Sequence, residues 1–125
     1  MITNQRKEPF RYSFRQPYPF DLYIESIDGK PAPFKPVQAL LFDISRQGCQ
    51  ISLPLALKAN DHRIAVSMEL MLHEEPLRLR GELRWERLYG DRYRYGMRLH
   101  IPEQDRERLP RELRALAGER KIFVK

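Results

Sequence analysis

Apolar residues in the central part of the chain recur at every second position, and this period of two restricts the fold more than any other feature. Between Leu77 and Trp85, apolar residues and one glycine alternate with arginine and glutamate. A strand presents alternate residues on opposite faces, whereas a helix brings together residues three or four positions apart. The pattern therefore predicts β-strands with one face against a core and the other face in solvent.

Strand-like segments follow one another along most of the chain, separated by residues that favour turns. Strands are predicted at about residues 20–27, 37–44, 49–53, 66–72, 77–86 and 93–101. Turns are expected at Asp28-Gly29 and at Glu74-Glu75-Pro76. The predicted fold class is all-β, a six-stranded antiparallel barrel, which is favoured over a sandwich because closure leaves no unpaired edge.

The first 19 residues are predicted to form a flexible basic arm. Pro9, Pro17 and Pro19 interrupt this segment, and proline lacks the backbone N–H that helices and strands use. No uninterrupted stretch is long enough for a stable helix. Residues 1–19 are therefore assigned to an irregular arm that precedes the barrel, whose strands cover about residues 20–101.

The hydrophobic period changes near residue 103. Three leucines recur at helical spacing among many charged positions: Leu109, Leu113 and Leu116. Phe123 is a further candidate for the same face, while Pro110 favours a helix start and Gly118 a helix end. A C-terminal amphipathic helix is predicted at about residues 103–118, with its leucine stripe over one opening of the barrel or against its side.

The chain of 125 residues is expected to be a single domain, residues 1–125, because its length suits one hydrophobic core. No stretch approaches the ~20 apolar residues of a membrane-spanning helix. No apolar segment follows Arg6 and Lys7, as a secretory signal would require, and Cys49 is the sole cysteine. We therefore expect a cytoplasmic protein without membrane insertion.

Basic residues outnumber acidic ones by 23 to 17, which gives a formal net charge of +6. Arginine supplies 17 of the basic residues and lysine 6. The planar guanidinium group binds phosphates, carboxylates and guanine edges through paired hydrogen bonds. The composition favours an anionic ligand, without choosing between nucleic acid, nucleotide and protein.

The sequence lacks arrangements of residues that are typical of catalysis or metal binding. His62, His73 and His100 are far apart, and neither they nor Cys49 show the spacing of a metal site. Phosphate-binding loops and nucleophile elbows have no counterpart. We therefore predict a protein that is not an enzyme and that needs no metal or cofactor.

The arginine-rich segment from residue 78 to residue 98 is predicted to be a hairpin with an ion-paired outer face. If the numbers of paired residues sum to 180, Glu86 faces Arg94 and Glu82 faces Arg98, whereas a shifted register would set arginines opposite each other. These carboxylates would repel phosphates, so DNA and RNA are not expected partners. Three aromatic residues on the other face are predicted to belong to the core: Trp85, Tyr93 and Tyr95.

Two short segments contain residues suited to an anionic ligand. Arg11 and Arg15 lie four residues apart in the arm, and the segment from Asp43 to Gly48 reads D-I-S-R-Q-G directly after a predicted buried strand. Taken singly, the first segment is typical of a solvated basic tail and the second of a hairpin turn.

Together the two segments resemble the signature of the PilZ domain family, R-x-x-x-R in an N-terminal arm followed by [DN]-x-S-x-x-G at a turn between strands. The five signature positions are Arg11, Arg15, Asp43, Ser45 and Gly48. Later residues resemble the family's downstream strands as well: Gly81, Trp85, Tyr95 and Gly96. The resemblance spans roughly residues 6–117.

This resemblance implies a six-stranded antiparallel barrel with a C-terminal helix that acts as a receptor for the bacterial second messenger cyclic di-GMP, in the regulation of motility or biofilm formation. The five signature residues would bind the dinucleotide. Arg6, Lys7 and Arg46 are additional candidates for phosphate contacts, because they lie close to the signature in sequence.

The residue types suit this ligand chemically. Cyclic di-GMP offers two phosphates and two guanines, whose edges present N7 and O6 acceptors and N1–H and N2–H donors. Arginine matches the phosphates or the guanine acceptors, and Asp43 supplies an acceptor for the guanine donors. Ser45 adds a hydroxyl group, and Gly48 lets the backbone approach the ligand.

Hypotheses from different functional classes follow. In the first, ligand binding rearranges the arm and signals to a partner protein in trans, since a chain of this length offers no second domain. In the second, a PilZ-like adaptor binds a motility or secretion protein without nucleotide. The complete signature favours the first. A general nucleic-acid-binding barrel is a third alternative, disfavoured by the predicted pairing of Glu82 and Glu86 with arginines.

Overall fold

Antiparallel pairing joins all neighbouring strands, in agreement with the alternating hydrophobic pattern. The computed structural model describes residues 11–72, 75–119 and 122–124. Within them, the strands are β1 (Tyr12–Ile27), β2 (Lys30–Pro31), β3 (Pro36–Ile44), β4 (Gly48–Leu53), β5 (Ile64–Leu70), β6 (Leu77–Tyr89), β7 (Arg92–His100) and β8 (Ile122–Val124). One turn of 3-10 helix at Glu103–Asp105 precedes the helix α1 (Arg108–Gly118).

Six of the described strands close into a barrel, as predicted. Hydrogen-bonded neighbours follow the order β1, β3, β4, β7, β6 and β5, and β5 pairs with β1 to complete the ring. The inward faces form one hydrophobic core, whose fully buried side chains include Leu22, Leu41, Ile51, Leu53, Ile64, Met68, Leu79 and Tyr95. Closure gives each barrel strand two neighbours, so backbone groups are paired along the shared lengths of the strands.

Strand β1 begins eight residues before the predicted start at residue 20, so the prediction of an irregular arm is wrong over that stretch. Ser13 lies opposite Asp43 of β3, but Tyr18 lies opposite Leu41, which leaves the residues between them in a bulge. Pro17 falls in this bulge, where a residue without an N–H has no ladder bond to lose. The first ten residues of the predicted arm lie outside the described part of the chain.

The register of the β6–β7 hairpin agrees with the prediction up to Leu83. After Leu83 it differs, because β6 contains a one-residue bulge. Glu82 lies opposite Arg98, as predicted, and this register continues to Leu83. The register then shifts by one residue before Trp85, which leaves Arg84 as the extra residue of the bulge. Side chains alternate between the two faces of a strand. One extra residue therefore moves each side chain that follows it to the opposite face of the sheet.

The exchange reverses the predicted orientation of the residues after the bulge. Glu86 lies opposite Tyr95 rather than Arg94, so the prediction of an ion pair across the strands is wrong at this position. Trp85 is only partly buried and does not belong to the core. The other two aromatic residues agree with the prediction, since Tyr95 is fully buried and Tyr93 packs against the core.

Glu86 has its partners in the loop between β4 and β5. Its Oε1 accepts hydrogen bonds from the backbone N–H groups of Leu57 at 3.2 Å and Ala59 at 3.1 Å. The Asn60 side chain accepts from the Glu86 N–H at 3.3 Å and donates to the Glu86 carbonyl oxygen at 3.1 Å. Since the β5–β6 pairing ends at Leu83, the loop takes the place of a longer β5 beside the end of β6.

The C-terminal helix is confirmed and buries its predicted stripe. Its three leucines belong to the same core as the barrel: Leu109, Leu113 and Leu116. Arg108 donates a hydrogen bond to the Pro76 carbonyl oxygen at 2.6 Å, which ties the helix start to the segment before β6. Phe123 lies in β8 rather than on the helix, and β8 pairs with the first three residues of β1. No helix among the described residues is long and apolar enough to cross a membrane.

The Tyr95 hydroxyl group provides a test of how the loop after β4 is anchored. It donates to the Leu55 carbonyl oxygen at 2.5 Å and accepts from the Leu57 N–H at 3.0 Å. We predict that Tyr95→Phe lowers the free energy of unfolding by about 1 kcal/mol, because the Leu55 carbonyl oxygen loses this partner and the Leu57 N–H keeps only its bond to Glu86 Oε1. Urea denaturation measures this loss. Tyr89→Phe is the control, since Tyr89 is 63% exposed, and equal losses in the two variants would contradict the prediction.

Candidate functional site

The turn between β3 and β4, residues 43–48, is shaped by its serine. Ser45 is buried, and its Oγ accepts hydrogen bonds from the N–H groups of Gln47 at 3.2 Å and Gly48 at 3.3 Å. The same hydroxyl group donates to the Gly48 carbonyl oxygen at 3.3 Å, which also accepts from the Ser45 N–H at 2.8 Å. The hydroxyl group that the sequence predicts as a ligand contact is therefore bonded within the turn and holds its shape.

The turn needs glycine at position 48 because two strands meet there. Gly48 lies opposite Arg98 of β7, and a Cβ atom on Gly48 would overlap the Met97 carbonyl oxygen. The Leu99 N–H donates to the Gln47 carbonyl oxygen at 2.8 Å, which adds a second link between the turn and β7. The turn is therefore held against the backbone of the neighbouring strand.

Arg11 and Asp43 join the two signature segments directly. Arg11 Nη1 lies 2.5 Å from Asp43 Oδ1, and the Asp43 side chain is only 14% exposed. Pairing of β1 with β3 brings them together, with Tyr12 opposite Ile44. A charged hydrogen bond to a carboxylate of low exposure compensates its charge and directs the guanidinium group. The first arginine and the turn therefore share one site, although 32 positions separate them in sequence.

A cavity of about 230 Å³ lies beside this ion pair. Three of the predicted site residues line it: Arg11, Ser45 and Gly48. The turn and β4 add Gln47, Cys49 and Gln50, and the β6–β7 hairpin adds Arg84, Trp85, Gly96, Met97 and Arg98. The cavity therefore lies on the barrel surface where the turn meets the hairpin.

The other predicted site residues do not line this cavity. Arg15 is exposed in the bulge of β1, and Arg46 is exposed in the turn itself. Arg6 and Lys7 lie outside the described residues. The structure therefore brings together Arg11, Asp43 and the turn, and places Arg15 in the bulge of β1 outside the cavity lining.

The Trp85 indole packs against the Gly96 backbone and forms one wall of the cavity. The two residues are opposite each other across the hairpin, and a Cβ atom on Gly96 would overlap the indole ring. The Arg87 guanidinium lies over the same indole, with Cζ 5.6 Å from the ring centroid. A flat aromatic side chain at the edge of a cavity offers a surface on which a nucleobase can stack.

Sequence reasoning missed the hairpin's contribution to the site. Arg84 and Arg98 were predicted as ion-paired outer surface, and Trp85 as core, because the alternating pattern continues without a break through the bulge. Nothing in such a pattern marks the position of an extra residue. The resemblance of Trp85 and Gly96 to the downstream strands of the PilZ family was the one signal that pointed to this region.

Positive charge predominates around the cavity. Arg11, Arg84 and Arg98 contribute guanidinium groups to its lining. Two carboxylates lie next to them: Asp43 is bonded to Arg11, and Glu82 Oε2 lies 4.0 Å from Arg84 Nη1. Three cations and two anions leave an excess of positive charge at this surface, which favours anionic ligands.

Cys49 lies in the cavity lining but is only 3% exposed. Burial raises the pKa of its thiol strongly, and the negative charge of Asp43 raises it further, while Arg11 acts in the opposite direction. The thiol is therefore protonated at neutral pH and is a poor nucleophile. Within the described part of the chain, no group of three His, Cys, Asp or Glu side chains is arranged to hold a metal ion.

We predict that Cys49 in the folded protein reacts slowly with Ellman's reagent, even at mildly alkaline pH, because its raised pKa leaves little thiolate and the side chain is buried. Absorbance at the released thionitrobenzoate band measures the rate. In guanidinium chloride the same thiol should react at the rate of a free cysteine. Fast and complete reaction of the folded protein would contradict the buried position of this thiol.

Comparison with known proteins finds the same fold in a solved structure. The structure is similar to that of the Bacillus subtilis inhibitor of motility, MotI/DgrA, with a TM-score of 0.59 and a sequence identity of 14%. The similarity covers 94% of this chain and 54% of that chain, so this chain spans about half the length of that protein. At this identity the likeness concerns the fold alone.

The sequence itself identifies the family. No curated protein matches the chain. The PilZ domain, however, matches residues 5–115, which is most of the chain and includes both signature segments and the hairpin. The match confirms the resemblance noted from the signature residues, and the chain belongs to the PilZ domain family.

Proposed function

We propose that this chain is a cyclic di-GMP receptor, which binds the dinucleotide at the cavity between the start of β1, the turn and the β6–β7 hairpin. One observation carries the proposal: Arg11 and the turn, which the family signature links, lie side by side at a positively charged cavity. Membership of the PilZ family supports the same ligand. The proposal includes binding and no catalytic step.

Arg11 and Asp43 would recognise different parts of the ligand. The ion pair occupies Asp43 Oδ1, and a carboxylate has a second oxygen that can accept from the N1–H and N2–H donors of guanine. Arg11 keeps further N–H donors for a phosphate or for the guanine O6 and N7 atoms. The pair therefore directs one donor group and one acceptor group at the same ligand.

Trp85 and Ser45 would contribute in different ways. The indole of Trp85, which packs against Gly96 and lines the cavity, offers a stacking surface for a guanine base that displaces the Arg87 guanidinium from the ring. Ser45 would act mainly by shaping the turn, since its hydroxyl group is bonded to Gln47 and Gly48. The turn would therefore supply a fixed backbone against which the ligand is held.

Arg15 would join the site by movement of the bulge in β1. The bulge lies between Ser13 and Tyr18, and Arg15 is exposed within it. Residues in a bulge are not held by regular ladder bonds, so they rearrange more easily than paired residues. Arg46 is a further candidate for a phosphate contact at the exposed side of the turn.

Ligand binding would be signalled through the start of β1. This segment pairs with β3 on one side and with β8 on the other, so its rearrangement changes the surface on both sides. A partner protein that contacts this surface would receive the signal. We propose bacterial motility as the process in which that partner acts, since the fold relative MotI/DgrA is named an inhibitor of motility.

A protein adaptor that acts without nucleotide is the second candidate. Leu88 and Tyr89, at the tip of the β6–β7 hairpin, are 67% and 63% exposed. Exposed apolar and aromatic side chains of this size are frequent in protein interfaces. A direct titration with the nucleotide distinguishes the two candidates.

Arg11→Ala and Arg15→Ala are each predicted to weaken cyclic di-GMP binding about ten- to hundred-fold, because each removes a charged contact to a phosphate or a guanine. Isothermal titration calorimetry of the full chain measures affinity and stoichiometry together. Arg80→Ala should keep the affinity of the unchanged chain, since Arg80 is 73% exposed and pairs at 3.4 Å with Glu25, outside the cavity lining. Thermal melting of each variant checks that the fold is retained.

The other results of this titration distinguish the receptor from the adaptor and from a nucleic-acid-binding barrel. Unchanged affinity in both arginine variants would exclude the start of β1 from the binding site. Absence of binding by the unchanged chain would favour the adaptor. Cyclic di-AMP should bind far more weakly, because adenine lacks the O6 and N2–H groups. Binding of any single-stranded nucleic acid, lost when salt is added, would support the third alternative.

A further inference from the structure

We propose that Arg84 and Arg98 form a second guanidinium clamp, which holds the second phosphate of the cyclic dinucleotide. The inference rests on the proposed function and extends it, because neither arginine belongs to the signature that implies the ligand. In the strand order β1, β3, β4, β7, β6, the Arg11–Asp43 pair lies on one side of β4 and the two hairpin arginines lie on the other. The cavity extends between these two sides.

Arg84 reaches the cavity because it is the extra residue of the β6 bulge. The register shifts between Leu83 and Trp85, and both Arg84 and Trp85 line the cavity. In an uninterrupted strand, neighbouring side chains point to opposite faces, whereas a bulge lets two successive side chains share one face. The Arg84 side chain is 57% exposed, so its guanidinium group is accessible to a ligand.

Arg98 lies where β7 meets the turn. It is opposite Gly48, and the hydrogen bond from the Leu99 N–H to the Gln47 carbonyl oxygen is formed beside it. These contacts hold the Arg98 backbone next to the turn, while its side chain is exposed. A long cationic side chain on a fixed backbone is suited to contact an anion that is bound at the turn.

The charge of the ligand requires partners on more than one wall. Cyclic di-GMP carries two phosphates in one closed ring, and they lie at opposite parts of that ring. Arg11 lines the cavity, and Arg15 and Arg46 lie in β1 and in the turn, so these residues supply cations on the β1 and turn side of the cavity only. Arg84 and Arg98 provide a partner on the hairpin side, and two cations acting on one phosphate strengthen the contact.

The Glu82 carboxylate would compete with a ligand phosphate for the clamp. Its Oε2 lies 4.0 Å from Arg84 Nη1, and the residue is directly opposite Arg98 across the hairpin. A phosphate that enters the clamp has to compete with this carboxylate for the Arg84 guanidinium group. Removal of the Glu82 charge is therefore expected to strengthen ligand binding, and the part of that gain that passes through the clamp depends on Arg84 and Arg98.

The double variant Arg84→Ala/Arg98→Ala is predicted to bind cyclic di-GMP at least about ten-fold more weakly than the unchanged chain in calorimetric titration. Its affinity should also depend less on sodium chloride concentration, because fewer charges contact the ligand. Arg78→Ala/Arg80→Ala is the matched control, since it removes two exposed arginines of the same strand outside the cavity lining. This control should leave the affinity unchanged.

Glu82→Gln is predicted to bind cyclic di-GMP several-fold more tightly. Glu25→Gln is its matched control, because Glu25 pairs with Arg80 at 3.4 Å outside the cavity lining and its replacement changes the net charge equally. Tighter binding by Glu82→Gln but not by Glu25→Gln supports a clamp at Arg84 and Arg98, whereas equal affinities contradict it. The gain should disappear when Glu82→Gln is added to Arg84→Ala/Arg98→Ala, whereas a gain that persists without the two arginines would contradict the clamp.

The outcomes separate this inference from the proposed function. If the unchanged chain binds cyclic di-GMP and the double variant Arg84→Ala/Arg98→Ala binds it equally well, the clamp is wrong while the receptor function stands. If the unchanged chain binds no cyclic di-GMP, both proposals are wrong.

Discussion

The one-residue bulge at Arg84 is the constraint on which the site depends. Without it, the period of two would carry Trp85 into the core and Glu86 onto the outer surface. With it, the indole stands over Gly96 beside the cavity, and Glu86 turns toward the loop after β4. That partly buried carboxylate is tolerated because backbone N–H groups of the loop bind it. The loop therefore stabilises the bulge, and the bulge builds one wall of the cavity.

The cavity combines a fixed backbone with long charged side chains. The Ser45 hydrogen bonds and the contact of Gly48 with β7 hold the turn in one position. Arg84 and Arg98, in contrast, have exposed side chains, with Arg98 at a paired position of β7 and Arg84 at the bulge of β6. Ordering such side chains on binding has an entropic cost, which weakens the affinity gained from their charge. In the proposed receptor, the fixed turn would decide the shape of the ligand that fits, and the arginines would decide its charge.

Patterns in the sequence predicted the regular parts of this fold and half of its candidate site. Alternation placed the six barrel strands, and the spacing of Leu109, Leu113 and Leu116 placed the helix, because burial of one face is what produces each pattern. The two bulges were not predictable in this way. The bulge of β1 accommodates Pro17, which suggested an irregular arm, and the bulge of β6 leaves the alternation unchanged while it exchanges the faces of the strand. The signature therefore pointed to Arg11, Asp43 and the turn. The contribution of the β6–β7 hairpin to the cavity became visible only in the three-dimensional structure.

The contact between Arg11 and Asp43 also connects the site to the end of the chain. The segment after Arg11 pairs with β3 through Tyr12 and Ser13, and with β8 through the same residues and Phe14. The bulge that follows separates this short segment from the part of β1 that closes the barrel with β5, where pairing begins only at Asp21. In the proposed receptor, a ligand that alters the Arg11–Asp43 contact would act on a segment that the bulge separates from the pairing with β5 that closes the barrel. Both β3 and β8 are bonded to that segment, so both strands would be affected.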